Sequence, residues 1–490
     1  MRASGKRHRA SDRHHGLRPK PLTSALVAAC IALVPSIAAV KAAHAGGTIV
    51  VGNCNDGGSG SLRDAIASSP DGGTVDLSAL TCSVITLNSQ LRVAQNALDI
   101  IGPGQDALTI DADQRDRVIV HSGSGTLRVS NVTLANGTYR GGTYYGERGG
   151  CVLSLGSFLA SNTTISSCTL TDEYSPPVPA TGGGGCIHAG VDVTLIDSRV
   201  AGCDATLAII SSELDGGGIA SFGGDIGMVR SSLSGVRTQS DFTFGVGLST
   251  SGGLTMKYST IEDNADIGDA ALDQQSQSGG VQVNGPVYLL ASTIANNRAG
   301  QGGAGAMGAG SESIRIKNST IANNVATDAG SGGLTIVQAT DVVIANSTIA
   351  FNRGDSSTAS GLRLYDAAVE LRSTIIAKNL AGTAERDIGG NAASSVSGSN
   401  NLIPAAVIAV PSDTMTDDPL LRPLHHNGGR TATLALQSTS PAIDQGANPL
   451  AADNDQRGTG FVREFGAAAD IGAFELQPNA DEIFWDGFEV

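Results

Sequence analysis

A three-part apolar signature recurs nine times in this chain and constrains the fold more tightly than any other feature. Its most regular form is the phrase "NSTIANN", Asn318 to Asn324, echoed by "ASTIANN" (291–297), "NSTIAFN" (346–352) and "RSTIIAKN" (372–379). With the Ile of "STI" as marker, the aligned positions are Leu134, Ile165, Val200, Leu233, Ile261, Ile294, Ile321, Ile349 and Ile376, spaced by 31, 35, 33, 28, 33, 27, 28 and 27 residues. Five residues earlier sit Val129, Ala160, Leu195, Met228, Met256, Leu289, Ile316, Ile344 and Leu371. Seven earlier sit Leu127, Phe158, Val193, Ile226, Leu254, Val287, Ile314, Val342 and Val369. All of these positions are apolar in a chain that is 40% apolar overall, so chance does not account for them.

The offsets −7 and −5 differ by two and therefore point to one face of a strand. Further short strands follow glycine pairs: "GGCV" (149–152), "GGCI" (184–187), "GGGI" (216–219), "GGV" (279–281) and "GGL" (332–334). Each repeat thus holds two or three short strands joined at bends, and no helical period appears. A period of this length means a stacked architecture. Short strands, glycine bends and uneven spacing predict an all-β chain wound as a parallel β-helix, each coil adding about 4.8 Å of height.

Three residues after the marker, five successive coils carry Asn264, Asn297, Asn324, Asn352 and Asn379. In-register stacking predicts a structural ladder in which each amide bonds its neighbours. The same offset carries Cys168 and Cys203, while Cys151 and Cys186 share a position after the glycine pair. Bonds between coils (151–186, 168–203) and within coils (151–168, 186–203) both satisfy the spacing, leaving Cys54 with Cys82.

The first 45 residues differ from the rest. A basic start from Arg2 to Lys20 is followed by an apolar run, Leu22 to Val40, and by Ala43-His44-Ala45 before Gly46. This is the pattern of a secretory signal peptide cleaved between Ala45 and Gly46. Pro35 and Ser36 interrupt the run, which argues against a membrane anchor, and nothing later is long and apolar enough for a membrane helix. Removing this segment takes eight Lys and Arg and one Asp, so 23 basic and 45 acidic residues remain, a net of −22. Such a surface disfavours nucleic acid. The six remaining cysteines, an even number in an exported chain, favour disulfides over metal ligation.

The ends carry a family resemblance. Ser61-Leu62-Arg63-Asp64-Ala65-Ile66, Gly72-Gly73-Thr74-Val75-Asp76 and Ile85-Thr86-Leu87 resemble the Cys-Ser-Leu-Arg-Glu-Ala-like start of secreted right-handed parallel β-helix proteins, with Gly60 where Cys is usual. Ser61 with Asp64 makes a capping box, and Leu62, Ala65 and Ile66 form one apolar face of a short capping helix. "DDPLLRPLHHNGGRTATLALQSTSPAIDQG" (417–446), "DQRG" (455–458) and "DIGAFE" (470–475) resemble the C-terminal region of the choice-of-anchor Q proteins. That resemblance implies an exported, cell-surface β-helix with no chemistry assigned to the fold. The expected organisation is a leader (1–45), an N-terminal cap and first coils (46–126), β-helix coils (127–403), a C-terminal region capping the solenoid (404–476) and an aromatic-acidic tail (477–490).

Chemistry is hard to find in the pattern. Arg315-Ile316-Lys317 matches a polygalacturonase-type "RIK", but it sits on the repeat template where Arg and Lys simply point outward. Asp111, Asp113 and Asp116, and Asp453 with Asp455, match no calcium loop. No metal and no cofactor are expected. One local anomaly is "NGTYRGGTYYGERGG" (136–150), which gathers Tyr139, Arg140, Tyr144, Tyr145 and Arg148; the next coil adds Tyr174. Aromatic faces with arginines suit sugar or peptide contact. The expected function is an adhesive, structural or interaction module, monomeric, with a glycan or cell-surface partner. The alternative is a polysaccharide lyase or hydrolase of the β-helix type.

Overall fold

The strands stack in register, coil upon coil, in a computed structural model that describes residues 46–141, 147–172, 181–207, 212–268, 275–276, 278–300, 302–307, 313–328, 330–355 and 359–477. The leader with Ala45 and the tail beyond Gln477 lie outside the described residues. A first sheet of 13 strands runs from Thr48–Val50 to Ser395–Ser399 and is parallel throughout. It carries the −7 and −5 positions: Leu127 pairs with Phe158, Phe158 with Val193, and so on to Val342 with Val369. A second sheet carries the markers, with Leu134 against Ile165 and Ile349 against Ile376. A third, of 11 strands, follows the glycine pairs and stacks Val152, Ile187, Ile219, Leu248 and Val281. Every signature residue is buried, at most 2% exposed. The chain is an all-β parallel β-helix.

Each coil turns at two left-handed corners. One precedes the "STI" strand, at Asn131, Asn162, Asp197, Arg230, Tyr258, Ala291, Asn318, Asn346 and Ser373; the other follows it, as at Asp263, Asn296, Asn323, Phe351 and Lys378, all with φ between +43° and +60°. Asn and Asp tolerate this conformation best, hence their frequency there.

Three interior features tie the coils. The disulfides close within coils, Cys151–Cys168 and Cys186–Cys203, with Cys54–Cys82 near the N-terminal end. Asn264 donates Nδ2–H to Asn297 Oδ1 (2.8 Å), and the same bond joins Asn297 to Asn324 (3.0 Å), Asn324 to Asn352 (2.9 Å) and Asn352 to Asn379 (2.9 Å). All the amides point one way, so the row needs an acceptor at its end. Asp387 supplies it, taking the Asn379 Nδ2–H at 3.0 Å and the Ala405 N–H at 2.9 Å. A second row comes from the Ser of "STI". Ser231, Ser259, Ser292, Ser319 and Ser347 each accept the backbone N–H of the coil before.

At the N-terminal end the helix Leu62–Ser68 buries Leu62, Ala65 and Ile66. Ser61 Oγ accepts the Asp64 N–H, while Asp64 reaches back to the Gly60 N–H at 3.0 Å. At the other end, Ile403 joins the main core, Leu402 bridges Met415, and Ile408 and Val410 pack below. The rest of the C-terminal region does not cap the end, as the sequence reading had it. It runs back along the flank. Thr293 Oγ1 donates to the Ala432 carbonyl (2.7 Å), Thr320 Oγ1 to Gln456 Oε1 (2.6 Å), and Thr348 Oγ1 accepts the Ala473 N–H (3.0 Å). Ala322 and Ala350 pack against Leu434, and Ile375 and Ala377 join a cluster with Leu436, Ile471 and Phe474.

This strap holds a buried ionic cluster. Asp455 and Arg457 pair at 2.8 Å with both side chains fully buried, and the Arg457 guanidinium lies between the rings of Phe461 (3.9 Å) and Phe474 (3.8 Å). Arg463 pairs with Glu475 at 3.6 Å and donates to the Asp470 carbonyl. Two guanidiniums here face three carboxyls. Burial pushes Glu475 up to about 7 and Asp470 up to about 6, so the cluster keeps a proton well above the ordinary carboxyl range.

Candidate functional site

The coils between residues 136 and 276 keep the signature but carry an added lobe. Most strands of the second sheet are three residues long, as in Thr293–Ala295. Thr164–Asp172 and Arg199–Thr206 instead run for nine and eight residues, continuing through the left-handed corner at Ser167 and Gly202. Beside them stands an extra five-stranded parallel sheet that includes Glu147–Arg148, Thr181–Gly183, Glu213–Asp215 and Phe242–Phe244. A small core of Leu170, Ala205, Leu207 and Leu214 fills the lobe, with Tyr139 against it. Gly149, Gly184 and Gly216, at φ near +65°, turn each extra strand back into the third sheet. The extra sheet and the third sheet therefore meet at an angle.

His188 lies at this corner. It occupies the outward position of Ile187–Ala189, where neighbouring coils place Leu153 and Ala220. The ring is buried, and neither nitrogen has a hydrogen-bond partner. The Gly183 carbonyl approaches the ring without closing a hydrogen bond of normal geometry, and it already accepts the Gly149 N–H at 3.1 Å. Burial, then the nearby Arg148 and Arg117 charges, lower the imidazole pKa to about 3. His188 is thus a neutral ring at physiological pH. A side chain at Gly183 would crowd it: a Cβ there would lie 3.5 Å from His188 Nδ1 and 3.3 Å from Ala220 Cβ.

Phe222 covers the ring, its centroid 5.2 Å from that of His188, and the Arg148 guanidinium sits 4.8 Å above the Phe222 ring. Phe222 is 42% exposed, and Leu155 and Val191 are also exposed nearby in sequence register. Arg148 is aimed by Arg117, whose Nε donates to the Arg148 and Gly149 carbonyls (3.0 and 2.9 Å) while its guanidinium stacks at 3.4 Å on Tyr139. In the extra sheet, Arg148, Gly183 and Asp215 occupy successive stacked positions. Burial, then the Glu213 charge, raises Asp215 to about 6, against an opposing pull from Arg148.

The corner gathers some of the residues the sequence singled out and not others. Arg148 belongs to it. Tyr139 is half-buried in the lobe and supports Arg117 instead of facing a partner. Arg140 is exposed on the adjoining strand. Tyr144, Tyr145 and Tyr174 lie outside the described residues. His188, Phe222, Arg117 and Asp215 were not singled out by the pattern. Nothing in the repeat marks His188, because its stacked column also holds Arg92, Gln282 and Arg363. The acidic groups resolve into turns and pairs. Asp111 accepts from Asn136 and from the Asp113 N–H, Asp113 pairs with Arg115, and Asp455 with Arg457. Among the described residues, no three His, Cys, Asp or Glu side chains come together as a metal site. Among the same residues, no helix is long and apolar enough to cross a membrane.

No family model and no curated protein matches the chain. Among solved structures, a crystal structure of the pectate lyase Pel9A aligns over 88% of this chain and 96% of its own, with 15% identity and a TM-score of 0.38.

Proposed function

We propose that this is an exported β-helical interaction module that binds a carbohydrate at the corner between the extra sheet and the third sheet. Export rests on the leader pattern of residues 1–45 and fits three disulfides, which persist in oxidising compartments. The observation that carries the binding reading is the group of Phe222, Arg148 and the unpartnered neutral His188. An exposed aromatic face with a cation beside it suits a sugar's apolar face and hydroxyls, and the buried neutral His188 supports the Phe222 ring from behind. His188 is poorly matched to proton transfer. With a pKa near 3 it is too weak a base at neutral pH, where efficient catalysts titrate near the working pH.

The second reading, a polysaccharide-active enzyme, is favoured by Asp215. A carboxyl titrating near 6 beside Arg148 is in the range of a general acid or base. One experiment separates the two. Neutral and charged glycans are presented to the purified protein, and both binding and chain cleavage are followed. Binding without cleavage, weakened about tenfold or more by Phe222→Ala, is the expected result. Cleavage that Asp215→Asn abolishes would replace the binding reading with the enzymatic one.

A further inference from the structure

The outer face of the first sheet carries a regular arrangement that the corner site does not use. The last outward positions of five successive strands are Lys257, Leu290, Lys317, Ala345 and Arg372, in register. A cation therefore recurs at every second coil, about 10 Å apart along the stack. Tyr288, outward on the intervening strand, lies between the first two. Lys257 Nζ is 5.6 Å and Lys317 Nζ 5.5 Å from the centroid of its ring. Both lysines are half-buried against it, and neither has a carboxylate within ion-pair distance among the described residues. Burial lowers the pKa of both, the opposite of what a carboxylate partner would do.

The neighbouring arginines differ. Arg315 is held by Asp341 (2.6 Å) and Arg372 by Glu370 (2.8 Å). The face thus keeps two uncompensated positive charges in a chain whose formal net charge is −15. An acidic protein that leaves two lysines unpaired around one aromatic ring on a flat, two-coil span presents a counter-charge to something negative and extended. A compact anion would need donors converging on one point. These are spread along a line.

We propose that this face binds an extended polyanionic polysaccharide lying along the stack, with its acidic groups on Lys257 and Lys317 and a sugar ring over Tyr288. Carboxylate and sulfate polymers share this chemistry, and the test distinguishes them. The full chain is titrated with dextran sulfate, carboxymethyl-dextran and plain dextran at low and high salt. Expected are binding to one or both charged polymers, none to plain dextran, and loss of binding at high salt as screening shortens the reach of the charges. The Lys257→Ala/Lys317→Ala double variant should lose about tenfold in affinity with an unchanged melting temperature. Tyr288→Phe should bind normally, and Tyr288→Ala weakly. Phe222→Ala, at the corner site, should leave this binding unaffected, so failure of either site is read separately. Absence of binding to both charged dextrans, an undiminished affinity in the double lysine variant, or equally tight binding of duplex DNA would overturn the proposal.

Discussion

Each letter of "NSTIANN" has its own physical duty. Asn318 and Asn323 take the two left-handed corners, at φ +45° and +59°. Ile321 enters the core. Asn324 accepts two hydrogen bonds from Asn297, one from Nδ2 and one from the backbone N–H at 3.0 Å, and donates to the Ile294 carbonyl and to Asn352. Ser319 accepts the Ser292 N–H and donates to the Lys317 carbonyl at 2.7 Å. Asn324→Ala should therefore strip partners from several buried groups at once and cost about 2–4 kcal/mol, measured by denaturant unfolding. Ser319→Ala removes a weaker pair and should cost about 1 kcal/mol. The Asn row was legible because an amide at a fixed offset has no apolar excuse. The Ser row was not, because Ser before a strand reads equally well as a half-exposed residue. Its burial follows from the sharp corner just before it, which turns the hydroxyl inward, and corner angles are invisible to periodicity.

The flank strap explains why the phrase is strictest in the later coils. Outward positions of the "STI" strand vary freely where the flank is open: Arg199 and Ser232 stand where later coils have Thr293, Thr320 and Thr348. Under the strap those positions are buried and hold Thr293, Thr320, Thr348 and Ile375, with no charged side chain among them. Thr320→Arg should lift the strap without melting the coils, and limited proteolysis should then cut between residues 417 and 477. Ser232→Arg, in the open column, should change nothing, because Arg199 already stands exposed beside it. Intact resistance in Thr320→Arg would mean the strap is held elsewhere. The ionic cluster gives the strap a pH dependence. Glu475 and Asp470 titrate in the folded chain near 7 and 6, above their ordinary values of 4.5 and 3.8, so the folded state binds more protons between these limits. Stability should therefore rise as pH falls from 8 to about 5.5 and decline as pH rises again. His188, depressed to about 3, and His121, lowered by burial, work against this trend by favouring proton uptake in the unfolded chain, but they are two groups against six raised carboxyls: Glu475, Asp470, Asp455, Asp387, Asp215 and Glu262. The double variant Glu475→Gln/Asp470→Asn should flatten the pH profile of the denaturant midpoint. The sequence resemblance placed this region at the end of the rod. Its docking along the flank is a long-range matter of shape, written only in the uncharged outward residues it covers.

At the scale of the molecule, one coil template is stabilised in two different ways along its length. The disulfides lie between residues 54 and 203, where no strap covers the flank, while the Asn ladder and the strap serve residues 264 to 477. The template itself was legible from end to end, because the apolar positions must point inward in every coil. The lobe was legible only as a local tyrosine-rich anomaly in coils that keep the signature. Its extra sheet depends on glycine corners and on a satellite core of four residues, too few to leave a periodic trace. Because neighbouring coils of a stacked protein support one another locally, the two halves should respond separately to damage. Each of the two lobe disulfides closes a span of 17 residues, for which loop-closure entropy gives about 3 kcal/mol. Reduction should therefore loosen the coils and lobe between residues 130 and 215 while those from 290 to 400 stay protected. Hydrogen exchange on the oxidised and reduced protein measures this directly. The lobe carries Arg148 and His188, so reduction should also weaken any ligand held at the corner, and polyanion binding at Lys257 and Lys317 should persist. Equal loss of protection in both halves would show that the rod melts as one unit and that its two sets of ties are not independent.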